Sequence, residues 1–220
     1  LIATQFDWSD EEILSYYISF LKSLALRLNQ ETIKFFFNER SQQFPLFTEA
    51  IRFFSHHDQM VRTSVRTLTL RVFSVDDEAM QKFVLRISRP YFQRLSEYLG
   101  LLWHRLEEAR GSPALDEASA EQQDLVMYIC DVLDLNNEEL NLIVVQKFLA
   151  HACYPFLLHP LSDQTSPRLV SCRTALFLLH EIFQNAQRRD IAEPLAAALL
   201  GVGNSDPIAS PQLPEIVEVW

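Results

Sequence analysis

Two short pairings are the places where this sequence could do chemistry. His151 and Cys153 put an imidazole and a thiol two residues apart. A structural zinc site takes four ligands, so this pair is half a site at most, and a buried thiol beside a surface histidine is the alternative. His56-His57 sets two imidazoles in a row before Asp58 and could be a pH-sensitive hinge, since imidazole titrates near neutrality. The plainer reading is a turn with solvated histidines. Carboxylates cluster at Asp10-Glu11-Glu12, Asp76-Asp77-Glu78 and Glu138-Glu139, all at predicted helix starts, where dipole and capping roles account for them without acid–base catalysis. The four glycines, at 100, 111, 201 and 203, are too sparse to cradle phosphates. There is no G-x-S-x-G elbow and no H-E-x-x-H pair. These patterns assign no catalytic residue, no cofactor and no metal.

Arginines are more suggestive. Arg62 and Arg66 lie at i, i+4 on one helical face, where like charges repel by a few tenths of a kcal/mol unless something anionic sits opposite. With Arg52 and Arg71 they form a candidate contact for an acidic partner. The alternative is an internal ladder with acids of a neighbouring helix, such as Glu39 or Glu49.

The elements that would position these side chains are helices. The chain has 220 residues, 48% of them apolar, enough for one domain or a single helical array with a sizeable core. A net charge of −10 disfavours nucleic acid as a partner. The charge is uneven: residues 51–100 carry eight Lys/Arg against five Asp/Glu, and 101–150 carry three against ten. That gives a mildly basic segment followed by an acidic one, which solvated helix faces also explain. Cys130, Cys153 and Cys172 are odd in number and lack C-x-x-C spacing, the usage of a reducing cytosolic compartment. No apolar run approaches the roughly 18 residues of a membrane span. Leu1 is not an initiator methionine and no charged-then-apolar leader follows it.

Ser9-Asp10-Glu11-Glu12 predicts a capping box, with Ile13, Tyr17, Phe20, Leu21, Leu24 and Leu28 as the buried stripe beyond it. Asn29 is expected to cap a short helix ending near Phe37, whose Phe35-Phe36-Phe37 run is core or, in part, open to a partner. Pro45 begins a helix with Leu46, Phe47, Ala50, Ile51 and Phe54 inward. Asp58 caps the next, with Val61, Val65, Leu68 and Val72 buried. A helix from Asp76 to about Ile87 is followed by a longer one opened by Pro90. Gly111–Ala120 reads as a loop, and helices resume near Glu121–Leu135 and Asn137–Ala150. Pro155, Pro160 and Pro167 punctuate the next segment, before helices at Leu169–Gln187 and Ile191–Leu200. No strand alternation is sustained. The predicted organisation is a helical-repeat region over 1–110, a loop over 111–120, further helical repeats over 121–200, and a Pro/Gly-containing tail over 201–220.

Several of these residues also carry a family likeness. Phe6-Asp7, Ser9 to Glu12 and Tyr16 to Lys22, then Phe44-Pro45-Leu46 with Thr48-Glu49-Ala50-Ile51, then Met60-Val61-Arg62 and Val65 to Leu70, resemble the FPL-domain family of C-type lectin domain family 16 member A and Ema proteins. The motif residues Phe44, Pro45, Leu46, Glu49, Val61 and Val65 read as structural. The likeness is dense from Phe6 to about Leu106 and thins after Gly111. Asp58-x-x-Val61-Arg62 through Leu68 also looks like the inner helix of a HEAT or armadillo repeat. The expected fold is all-α, an armadillo/HEAT-like, right-handed stack of short helices.

What the resemblance implies is a non-enzymatic cytoplasmic protein, peripheral to endosomal, lysosomal or Golgi-derived membranes. It would serve endosome maturation, autophagy and mitophagy through protein partners: a RING ubiquitin ligase, the tethering machinery or Rab GTPase regulation. The alternative is a peripheral membrane module that reads anionic lipid through the basic 51–100 segment and the Phe-rich helix.

Overall fold

A computed structural model describes residues 1–4, 6–162, 169–185 and 189–200. Pro167 and the 201–220 tail lie outside these residues. The described chain is all-helical, and its one β feature is an isolated antiparallel bridge between Asn38 and Gln43. It divides into two compact units, Leu1–Tyr91 and one beginning at Phe92.

In the first unit, α1 spans Glu11–Ala25. Its cap is Asp10, one residue later than the predicted capping box. The Asp10 carboxylate accepts the Glu12 and Ile13 N–H groups, while Ser9 donates its hydroxyl to Asp7. The buried face is Leu14, Tyr17, Ile18, Leu21 and Ala25, so the predicted stripe was rotated, and Ile13 and Phe20 point outward. Both sets fit a helical period; the set that fills the space against α3 wins.

Residues Ile33–Phe35 form one 3₁₀ turn in place of the predicted helix, with the Asn29 carboxamide accepting the Glu31 and Thr32 N–H groups just upstream. Phe37 is buried against Phe44 and Phe83, whereas Phe35 is 75% exposed. α2 spans Pro45–Ala50 with Pro45 in its first turn, where a missing N–H costs nothing. α3 spans Gln59–Phe73, capped by Asp58, and buries Val61, Val65, Leu68 and Val72. Large rings fill the core: Phe47 meets Phe73 edge to face and packs against Phe44 at a tilt.

α4 is one continuous helix, Glu78–Glu108, and Pro90 lies inside it rather than opening a second helix. Arg86 and Pro90 are both exposed, so the carbonyl that Pro90 leaves without a donor belongs to an exposed residue. The division between the units falls just after this proline.

In the second unit, α5 spans Leu115–Leu133, so most of the expected 111–120 loop is helix and the turn shrinks to a few residues around Gly111. α6 spans Glu138–Phe148, capped by Asn137, and runs on through a π-helical stretch, Leu149–Leu158, into α7, His159–Ser162. Pro155 and Pro160 sit within this run and do not end it. The wider π turn changes which carbonyl each N–H would meet, and so accommodates a residue without a donor. The resulting Glu138–Leu161 helix, 24 residues, is long and apolar enough to cross a membrane by length and composition, which the sequence reading had excluded. Half of its most apolar window is buried. α8 spans Cys172–Asn185 and α9 spans Arg189–Leu199; both pack on the π-helical stretch.

Candidate functional site

The four candidate arginines do not form one face. Arg62 is only 7% exposed, and its Nη1 donates to the carbonyl oxygens of His56 (2.7 Å) and His57 (2.6 Å). The chain reverses there into α3, and a guanidinium with five donors satisfies carbonyls that no helix can serve. This corrects Arg62 as a partner contact: its charged end is committed to the turn. Arg66 is half-buried on the same helix. Arg52 is exposed and pairs with Glu49, three residues back, at 2.8 Å, a local pair and not a rung of the expected Arg62/Arg66 ladder. Arg71 is exposed in the last turn of α3.

The motif residues sit in the same unit. Phe44, Leu46, Val61 and Val65 are buried, Pro45 starts α2, and half-buried Glu49 holds Arg52. His56 is buried at 5% exposure, contrary to the reading of two solvated histidines; His57 is exposed, with Nε2 3.3 Å from Glu11. His56 Nδ1 accepts the Asp58 N–H at 3.1 Å, which leaves the neutral ring's proton on Nε2. Burial, then the neighbouring His57, hold its pKa below the usual imidazole value, against the opposing pull of Asp58 and Glu11.

His151 and Cys153 do not share a centre. Cys153 is wholly buried, and burial pushes its thiol well up, so it stays protonated and inert. His151 lies 3.4 Å from Glu97, and burial lowers its pKa. No group of three or more His, Cys, Asp or Glu among the described residues is arranged to hold a metal ion. Asp10 and Asn137 cap helices, and Asp77 accepts the Met80 N–H at the start of α4.

Three outward features escaped the sequence reading. On α1, Ile13, Tyr16 and Phe20, at i, i+3 and i+7, form a second apolar stripe facing away from the core, with Tyr16 68% exposed. On α8, Leu176, Phe177 and Phe183 are exposed, as is Met127 of α5; the two helices are tied by a Gln123–Glu181 hydrogen bond. The third is a polar latch. The Glu107 carboxylate of α4 accepts the N–H (3.0 Å) and hydroxyl (2.9 Å) of Ser171, just before α8, and pairs with Arg110 at 2.8 Å. Partial burial pushes this carboxyl up, but hydrogen bonds from Thr174, Ser171 and Arg110 outweigh it and hold the pKa at about 2. A one-dimensional period cannot choose between two stripes on one helix, and a contact between residues 64 apart has no local signature.

Comparison with known proteins supplies what geometry alone does not. The FPL family, described as "Uncharacterised conserved protein", matches residues 1–73. Human Protein CLEC16A is 37% identical over 214 residues, covering 91% of this chain and 20% of the relative. The Drosophila melanogaster CLEC16A homolog is 36% identical over 177 residues, 76% of this chain and 16% of the relative. Protein TRANSPARENT TESTA 9 of Arabidopsis thaliana is 32% identical over 216 residues, 90% of this chain and 26% of the relative. These alignments run well beyond Gly111, where the likeness was expected to fade. The chain spans only 16% to 26% of these longer relatives' length. No solved structure matches it. With the FPL motif packed into the α2–α3 core and the alignment extending through both units, this chain belongs to the FPL-domain family of CLEC16A-related proteins.

Proposed function

We propose that this chain is a non-enzymatic helical adaptor acting in endosomal–lysosomal trafficking, autophagy and mitophagy, from the cytoplasmic side of endosomal, lysosomal or Golgi-derived membranes. Its partners are proteins: a RING ubiquitin ligase, a tethering complex or Rab GTPase machinery. The observation that carries this reading is α1. A helix with a buried stripe and a second apolar stripe outward is the pattern of an element covered on both sides. Ile13, Tyr16 and Phe20 fit the apolar side of a partner helix, which meets such anchors at i, i+3 and i+7. Among the candidate arginines, the exposed Arg52 and Arg71 remain for acidic groups at the rim. We also propose that the helices form an armadillo/HEAT-like stack, since within each unit helices pack on near neighbours in sequence, α1 with α2 and α3, and α5 with α6.

The test is a pull-down with purified candidate partners. Ile13→Glu with Phe20→Glu should abolish capture while the far-ultraviolet circular dichroism stays unchanged. Retained capture removes this face from the proposal. A second reading, contact with anionic lipid, is favoured by Phe35 on its exposed turn and by Arg86 and Arg89 on the outer face of α4. Salt-sensitive co-sedimentation with phosphatidylserine vesicles, lost in Phe35→Ser, would favour that reading over the adaptor.

A further inference from the structure

We propose that the turn from Phe53 to Asp58 is a proton-operated latch: protonation of the buried His56 ring at Nδ1 expels the Asp58 N–H and loosens the connection between α2 and α3. The geometry leaves the proton no easy place. Nδ1 is already an acceptor, for the Asp58 N–H at 3.1 Å, and Asp58 is the residue that caps α3. A proton arriving from solvent on Nδ1 turns that acceptor into a donor facing a donor. The hydrogen bond is lost, and the part-buried N–H of the cap residue is left facing a donor.

Among the described residues, the charges that face the ring do not compensate. Glu11 reaches the turn from α1 and Asp58 lies within it, but both are exposed and screened by solvent. On the inner side is Arg62 of α3, its guanidinium fixed on the carbonyls of His56 and His57. The His57 ring lies 4.2 Å away, centroid to centroid. A second buried cation beside Arg62 weakens the seating of the turn. The lowered pKa of His56 agrees in sign. Neutral His56 contributes its full stability above the unfolded value of about 6.5, and that contribution is lost as pH falls through the lower folded value.

The turn also carries an output. His56 N–H donates to the Phe53 carbonyl, and Phe53 is buried in a ring cluster with Trp8 (5.4 Å) and Tyr17 (6.5 Å) at the start of α1. Loosening the turn therefore unseats an aromatic that holds α1, the helix bearing the outward Ile13, Tyr16 and Phe20 stripe. A fall in pH is thereby coupled to the seating of the helix that carries that outward stripe.

Hydrogen exchange of the full chain at pH 7.5 and 5.5, corrected for the chemical exchange rate, tests this at three amides: Asp58, bonded to His56, and Met60 and Arg62, bonded to Asp58. Protection in the unsubstituted chain should fall on acidification, by up to about tenfold per pH unit, the ceiling for one proton. The second unit should be unaffected. His56→Asn, whose Oδ1 can accept the Asp58 N–H without titrating, should remove the dependence, whereas His57→Gln should retain it. If the asparagine variant does not fold, His56→Phe serves the same comparison. Trp8 emission in a Trp103→Phe/Trp220→Phe background should report the same transition. An unchanged pH response in the His56 variants, a response abolished by His57→Gln, or no response in the unsubstituted chain would each overturn the proposal.

Discussion

Gly100 lies in the middle of α4, where glycine is ordinarily a defect, and replacing it with alanine should be harmful rather than helpful. Helix propensity alone favours the alanine by about 1 kcal/mol. Packing opposes it. A Cβ built on Gly100 would fall within 2.8 Å of Cε2, Cζ and Cδ2 of Phe156, on the π-helical stretch. Those are ring atoms of a buried side chain that also stacks edge-on against buried Trp103, with centroids 6.3 Å apart. Because the ring is fully buried, the insertion belongs at the upper end of the roughly 1–3 kcal/mol that overpacking costs. The net expectation is a loss of about 1–2 kcal/mol, a fall of several degrees in the melting temperature of a chain this size. Urea unfolding followed by circular dichroism and by tryptophan emission measures it. Gly100→Ala/Phe156→Leu should recover most of the loss, because the shorter side chain vacates the space. Gly111→Ala is the contrasting control: it has open space around it but a φ of +81°, so backbone strain alone should cost it about 1 kcal/mol. A Gly100→Ala protein with an unchanged or raised midpoint would refute the close approach of α4 to the π-helical stretch.

Pro90→Ala should stabilise the protein by about 1–3 kcal/mol, since it restores a helical N–H at an exposed position inside α4; a proline that opened a separate helix would instead be neutral or lost at a cost. Glu107→Gln should lower unfolding stability at pH 7 by about 1–2 kcal/mol, the shift in pKa being discounted for partial exposure. Because the folded pKa lies below the ordinary 4.5, that difference is complete above about pH 4.5 and closes as pH falls towards 2, which urea titrations at stepped pH will show. Asp58→Ala should cost about 1 kcal/mol through loss of the α3 cap, read as a lower urea midpoint. Phe47→Ala, at a fully buried ring between Phe44 and Phe73, should cost about 3–5 kcal/mol and unfold the first unit first, so that Trp8 emission shifts before that of Trp103.

What could be read along the chain was what local chemistry decides. Pro45 at the start of α2, the Asp58 cap and the Val61, Val65, Leu68 and Val72 stripe of α3 depend on residues within a turn or two of one another, and all three stand in the structure. The misreadings share a cause. Pro90, Pro155 and Pro160 read as helix breaks because proline removes a donor, yet each lies within a helical run. Whether the freed carbonyl is satisfied depends on water or on a π register, and neither has a local sequence signal. The same holds for the candidate site. Arg62 followed its helix spacing onto the face where a partner could meet it, but the turn at His56 and His57 places two carbonyls beside it and claims the guanidinium. A charge on a predicted face is thus a claim on whatever is nearest, and the backbone of an adjoining turn is often nearer than any partner. The outward stripe of α1 inverts that argument. Ile13, Tyr16 and Phe20 satisfied the period of a buried face and remain uncovered, so the surplus of apolar residues over available core is itself the signal of an interface, legible only once the core is known to be full.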